Sequence, residues 1–272
     1  MKNFLTVDVE EWFQRHNFSD VIKRDDWNKH EDRVEFGTKK ILEIFAKHNV
    51  KGTFFILGWV AKRHPALIKE IADSGHEIAT HGYDHSLIYK LTPEAFRQDL
   101  RKSIKVLEDI TGQKVLGHRA PSYSLTKDAL WAFDILKEEG IIYDSSILSS
   151  VFYSNICLDV SDKGQCKLRN DLIEVPFSVI NLLGVNIPVG GGGNFRIYPY
   201  FFTKQSFLQV NKKRPAMFYI HPNDIDAGQP FVKIPFFKKF KEYTGKKNIE
   251  KKLETLLSDF EFGSIKEILK IQ

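Results

Sequence analysis

Across its first 145 residues the chain alternates short apolar runs with longer amphipathic ones, about five times over. Phe4-Leu5-Thr6-Val7-Asp8-Val9 is short, apolar and β-branched, as a buried parallel strand is. Residues 33–48 carry Val34, Ile41, Leu42, Ile44 and Phe45 at helical spacing. Gly52 to Leu57 predicts a strand, and Pro65 to Ser74 a helix stopped at Gly75. Glu77 to Thr80 follows as a strand. Thr92 as N-cap and Pro93 at the first helical position open a helix to about Ile110, ending near Gly112. Val115 to Gly117 predicts a strand, Thr126 to Glu139 a helix closed by Gly140, and Ile141 to Tyr143 a strand. This alternation points to a parallel sheet with crossover helices.

The remainder is less regular. Leu172 to Val175 and Ala216 to Ile220 predict strands, with a four-glycine run, Gly190 to Gly193, between them. Ile249 to Ser258, Phe260 to Phe262 and Ser264 to Leu269 predict helix, strand and helix. No repeat or linker-like composition interrupts the chain. The expectation is one barrel-like α/β domain over 1–272, with a less regular basic region from about 223 to 272.

The formal charge is +5, but residues 201–272 hold 14 Lys+Arg against 8 Asp+Glu, so the surplus lies there. Eight lysines fall between Lys233 and Lys252, interleaved with Phe236, Phe237, Phe240 and Tyr243. A surplus this small requires no nucleic-acid partner. A solvated helix face is the simpler reading of the lysines, and peripheral contact with an anionic membrane the alternative. No run approaches the ~18–20 apolar residues of a membrane span. The stretch ending at Asp8 is too short for a signal peptide's apolar core, so a cytoplasmic location is expected. Cys157 and Cys166 make no disulfide framework and are expected to be free thiols.

In parallel α/β folds the chemistry sits at the C-terminal ends of the strands. The first strand ends in Asp8-Val9-Glu10, and residues two apart point the same way. Taken alone, the two carboxylates are as readily an acidic loop as a site. After the third strand, His81 and His85 stand four apart, a spacing that lets one face of a helical turn grip a metal. Alone they are equally capping or surface groups. With the carboxylates of strand one, a site of two histidines and a carboxylate becomes the better reading. Arg119, before Pro121 and Tyr123, is either a partner for a carboxylate that fixes a loop or a surface Arg before a turn. Asp144 and His221 end two further strands.

In order, the segments Thr6-Val7-Asp8-Val9-Glu10, His81-Gly82-Tyr83-Asp84-His85, Arg119-Ala120-Pro121-Ser122-Tyr123, Asp144-Ser145-Ser146 and Ile220-His221 resemble the motifs of the polysaccharide deacetylases, the NodB-homology carbohydrate esterases of family 4. Pro188 to Arg196 and Phe260-Glu261-Phe262-Gly263 resemble the subgroup tied to bacterial exopolysaccharide or surface-glycan loci. The resemblance implies a distorted (β/α) barrel with fewer than eight units and one divalent metal, usually zinc. Cobalt, nickel and manganese suit the same ligand set. It implies Asp8 as catalytic base, Arg119 as the residue orienting it, His221 as general acid and Asp144 as the acid orienting His221. It implies His81 and His85 as metal ligands. The family's usual metal carboxylate falls at Val9, and Glu10, which points the same way as Asp8, is the replacement. An oxyanion donor is implied at the backbone N–H of Ser122 or Tyr123. Tyr83, Trp12, Trp59, Asn194 and Arg196 are candidates to contact sugar, core packing being as good a reading for the tryptophans. The implied reaction is removal of N-acetyl groups from an amino sugar. The rivals are a deformylase or cyclic-amide hydrolase on the same scaffold, and a glycan-binding protein that has lost catalysis.

Overall fold

A computed structural model describes residues 1–147, 160–162, 164–168 and 170–271. The strands, in chain order, are β1 (Asn3–Val9), β2 (Thr53–Ile56), β3 (Glu77–Thr80), β4 (Gly117–His118), β5 (Tyr143–Asp144), β6 (Cys166–Lys167), β7 (Ile173–Glu174), β8 (Val179–Leu182), β9 (Val185–Pro188), β10 (Met217–Ile220) and β11 (Phe262–Gly263). One sheet takes the order β10-β1-β2-β3-β4-β5-β7-β6, with β11 also beside β1. Its neighbours are parallel except β6 on β7, and β8 and β9 form a separate hairpin. This is a mixed α/β half-barrel rather than a closed eight-fold one, as expected.

The helices are α1 (Val34–Lys47), α2 (Gly58–Arg63), α3 (Pro65–Asp73), α4 (Pro93–Thr111), α5 (Trp131–Glu138), α6 (Gly192–Ile197), α7 (Tyr200–Asn211), α8 (Pro222–Ile225), α9 (Phe236–Tyr243), α10 (Ile249–Asp259) and α11 (Ile265–Leu269). Every residue of β1 is buried, because the strand is flanked on both edges and covered on both faces. Ile41, Leu42, Ile44 and Phe45 of α1 join Val7 and Val9 in the main core. α4 opens as its sequence predicts: the Thr92 Oγ1 accepts the Ala95 N–H at 3.2 Å, and Gly112 closes it in the left-handed region at φ 67°. α1 lies hard against the start of α8, where a Cβ on Gly37 would stand 2.1 Å from the Pro222 carbonyl oxygen.

Several expectations change. β4 and β5 begin two residues later than the apolar runs suggest. The Val115 N–H is taken by the Glu108 side chain and the Ile141 N–H by the Leu136 carbonyl, so both residues still belong to helix ends. The single helix expected over 126–139 is a 3₁₀ turn, Lys127–Ala129, followed by α5. The glycine run is packed against the sheet. It lies along β10, where the Tyr219 N–H donates to the Gly190 carbonyl at 2.7 Å, and a Cβ on Gly190 or Gly191 would come within 2.0 or 2.2 Å of strand carbonyls. Cys166 is disulfide-bonded, not a free thiol. A pair of cysteines reads alike bridged or reduced, so the count carried no signal. Cys157 lies outside the described residues. α2, α7 and the β8–β9 hairpin were not expected. No helix among the described residues is long and apolar enough to cross a membrane.

His76 sits buried at the start of β3, its Nδ1 accepting the Gly52 N–H at 3.2 Å and its ring 4.8 Å from that of Phe54. Burial, with Lys51 nearby, pushes its pKa down to about 4. The folded state therefore refuses a proton that the unfolded chain accepts. Stability should be full above the ordinary histidine value and fall as pH drops from 6.5 toward 4, by on the order of 3 kcal/mol. Urea midpoints measured across that window should show the slope in the wild type and a shallower one in His76→Gln.

Candidate active site

Five strand ends meet at the C-terminal edge of the sheet. Period-two alternation on β1 sends Val9 into the core and turns Asp8 and the following Glu10 to a cleft of about 380 Å³. Arg119, just after β4, is fully buried. Its Nη1 donates to the Asp8 Oδ1 at 2.6 Å and to the Thr6 hydroxyl, while its Nε and Nη2 reach the carbonyl and hydroxyl of Ser145. One oxygen of Asp8 is thus occupied and the other, Oδ2, faces the His221 Nε2 at 3.7 Å.

Glu10, His81 and His85 present ligand atoms within 4.8 Å of one another. The histidines are not on a helical turn as expected. They lie in an irregular loop after β3, with Gly82 at φ 78° and His85 at φ 58° bringing the two rings together. Their centroids are 5.7 Å apart. His81 is held by its Nδ1 against the Arg119 carbonyl at 2.8 Å, which leaves its Nε2 for the cleft. Burial, against the pull of Asp8, lowers the His81 pKa to about 4, so its ring is neutral. Burial would raise the Glu10 pKa, but His85, His221 and Arg15 outweigh it and hold the group ionised. The Glu10 Oε2 is buried 2.8 Å from the His85 Nε2. A buried carboxylate beside two imidazoles is the donor set of a divalent cation site. A second such group among the described residues, Glu11 with Asp32 and His64, differs: the Glu11 carboxylate is spent accepting the Arg33 and Val34 N–H groups that open α1.

His221 follows β10, and its carboxylate partner is not the expected one. Its Nδ1 is 2.9 Å from the Asp224 Oδ2, one turn on in α8. Asp144 instead holds the His118 Nδ1 at 2.6 Å and the Ser146 hydroxyl at 2.8 Å. It braces the loop that carries Ser145, and so supports Arg119 rather than His221. Burial would raise the Asp224 pKa, but Arg196, His221 and Arg15 hold it well below the usual range. The sequence signal for Asp224 was a His-Pro-x-Asp start to a helix, in which an acid at the third helical position reaches back to the cap.

The remaining candidates divide. Ser122 and Tyr123 line the cleft, both in the left-handed region at φ 52° and 54°. Tyr123 packs edge-on to Phe177 and Tyr219. Arg196 is not at the rim. It is buried, its Nε 2.8 Å from the Asp224 Oδ1 and its other nitrogens on the carbonyls of Lys241, Glu242 and Thr244. Asn194 donates to the Pro188 carbonyl at 3.3 Å and stays outside the cleft. Tyr83 is turned away, its ring under the Lys102 ammonium at 3.5 Å. Trp12 and Trp59 pack with Phe13, Phe18 and Trp27. Arg15, Asn17 and Lys241 line the cleft without having been expected there. Arg15 donates to the Asn223 Oδ1 at 2.9 Å, and its guanidinium faces Glu242 at 3.5 Å and Asp224 at 3.7 Å.

Residues 25–139 match the polysaccharide deacetylase family model, and residues 146–270 match a domain of unknown function, DUF3473. The first stretch holds His81, His85 and Arg119, the second His221 and Asp224, while Asp8 and Glu10 precede both. A peptidoglycan-N-acetylglucosamine deacetylase of Bacillus cereus is 30% identical over 48% of this chain and 53% of its own length. The chain thus spans about half the length of that relative. By fold it is similar to an allantoinase (TM-score 0.61, 16% identity, 98% of this chain and 88% of that one). It is also similar to a carbohydrate esterase family 4 pseudoenzyme of Bacillus anthracis (TM-score 0.54, 16% identity, 98% of this chain and 66% of that one). Such likeness shows the fold alone, and the family match makes residues 25–139 similar to the polysaccharide deacetylases.

Proposed function

We propose that the chain is a metal-dependent hydrolase that removes N-acetyl groups from amino sugars of a bacterial surface glycan or exopolysaccharide, or of its precursor. The observation that carries this reading is a matched pair. Asp8 and His221 each have one atom tied down, by Arg119 and Asp224, and turn the other toward the same space beside Glu10, His81 and His85. A divalent ion held by those three, with zinc the first candidate, would supply Lewis acidity to a water and to the acyl oxygen.

The chain's own groups then divide the proton work. The Asp8 Oδ2 takes a proton from the water that attacks the acetyl carbon. The Tyr123 N–H is spent on the Ala120 carbonyl at 3.1 Å, which leaves the Ser122 N–H for the developing oxyanion. The His221 Nε2 delivers a proton to the departing nitrogen, and Asp224 fixes its tautomer and faces its positive charge. Water and an acetamido sugar become acetate and a free amine. The retained set argues against a protein that only binds glycan. The Cys166 bond supports an oxidising compartment over the cytoplasm.

Chelation followed by reloading tests the reading. Acetate release from N-acetylglucosamine oligomers and from lipid- or nucleotide-linked amino sugars should vanish on metal removal. It should return with zinc, cobalt, nickel or manganese. Release that ignores chelation, or formate release from N-formyl sugars with no acetate release from the N-acetyl ones, overturns it.

A further inference from the structure

Helix α9 is inside out. Its one acid, Glu242, is buried at 1% exposure, while Phe236, Phe237 and Phe240 stand 73%, 81% and 45% exposed. The three phenylalanines, at i, i+1 and i+4, form a single outward stripe. Phe231, 63% exposed, adds to it just upstream. The inward face is committed elsewhere. The Asn17 amide donates to the Glu242 Oε1, Arg15 faces Oε2, and the carbonyls of Lys241, Glu242 and Thr244 receive Arg196. The helix is therefore pinned by the groups that hold Asp224, and rotation to bury the phenylalanines would take Glu242 from Arg15 and three carbonyls from Arg196.

Residues 231–241, Phe-Val-Lys-Ile-Pro-Phe-Phe-Lys-Lys-Phe-Lys, contain four lysines and no acid. Lys238 pairs with Asp20 at 2.6 Å, and the Lys239 ammonium lies 4.8 Å from the Phe231 ring. Lys233 and Lys241 have no ion pair among the described residues. A second copy of this chain would set lysines against lysines. Phenylalanine has no polar tip to read a sugar hydroxyl, but it suits the boundary between headgroup and acyl chain, and the lysines suit anionic headgroups.

We propose that α9 and the loop before it dock on an anionic lipid surface, with Phe236, Phe237 and Phe240 entering the interface. Lys241 belongs both to this helix and to the cleft wall. Docking thus sets the cleft mouth beside the bilayer, where an N-acetylated amino sugar on a lipid carrier or on the cell surface would stand. That substrate statement rests on the deacetylase reading, whereas the docking itself does not.

Co-sedimentation tests the docking without any turnover. The full chain should bind vesicles of mixed phosphatidylglycerol and phosphatidylcholine at low salt, and bind phosphatidylcholine alone far more weakly. Phe236→Ser with Phe237→Ser, and separately Lys233→Glu with Lys239→Glu, should each reduce binding by about tenfold or more. Both pairs are exposed, so circular dichroism and acetate release from a soluble oligosaccharide should stay unchanged. No binding to anionic vesicles overturns the proposal. So does binding that is untouched by the phenylalanine pair, equal binding to a soluble polyanionic glycan, or a dimer that the same pair abolishes. Vesicle binding without any deacetylation would instead sink the deacetylase reading and leave the docking standing.

Discussion

Asp8→Asn should cost between about 10² and 10⁴ in turnover, the range of a lost general base, with the metal still bound. The asymmetry of Asp8 makes this substitution clean. Arg119 occupies Oδ1 at 2.6 Å, and an asparagine carbonyl oxygen there would still accept that bond. Only the free side, opposite the His221 Nε2, changes from a carboxylate oxygen to an amide nitrogen that takes no proton. The guanidinium also keeps the Thr6 hydroxyl and the Ser145 carbonyl as acceptors, so it is not abandoned. Asp8→Ala would leave Arg119 facing a void, and the loss of a buried partner costs about 3–5 kcal/mol. Acetate release at saturating metal, with calorimetric titration of zinc into both proteins, separates base chemistry from metal binding. Activity within a few-fold of wild type in Asp8→Asn would remove Asp8 from the reaction.

The second large effect separates two acids that the sequence confuses. Asp224→Asn should lower kcat by about 10²-fold or more with KM and zinc affinity nearly unchanged. An amide nitrogen facing the His221 Nδ1 favours the wrong tautomer, and so withdraws the proton from Nε2. Asp144→Asn should lower thermal stability, since Asp144 braces His118 and Ser146, but leave kcat within about tenfold because it does not touch His221. Asp224→Glu should recover part of the lost kcat. Equal kcat losses in both variants, without the split from KM, would mean that Asp224 acts only through folding.

The strand ends were legible because chain periodicity alone fixes them. Asp8 and Glu10 share a direction by the pleat of β1, and α4 announces both its caps. What sequence could not give were pairings made across the fold. Asp144 and Asp224 both sit at the right edge of the sheet, and only the path of α8 decides which one meets the His221 Nδ1. Arg196 looked like a rim residue because a long cation after a glycine run usually is one. Its burial depends on Asp224 and on three carbonyls near the end of α9, none of them near in sequence. The histidine loop misled through its spacing, since four residues suit a helical turn, but Gly82 and His85 take the left-handed region. α7 has no amphipathic signal because its apolar residues, Tyr200, Phe201, Phe202, Phe207 and Leu208, make no single stripe, and Phe201 is 71% exposed.

The position of β1 has a consequence in time. The strand that bears Asp8 and leads into Glu10 is made first, yet it pairs with β10 at residues 217–220 and with β11 at residues 262–263. Contacts this distant in sequence close late and slowly. A nascent chain therefore already holds Asp8, Glu10, His81 and His85 before His221 and Asp224 exist. Until synthesis passes β10, an ion held by the early half would lack its proton donor. One long edge of β1 would stand open to wrong partners in the interval.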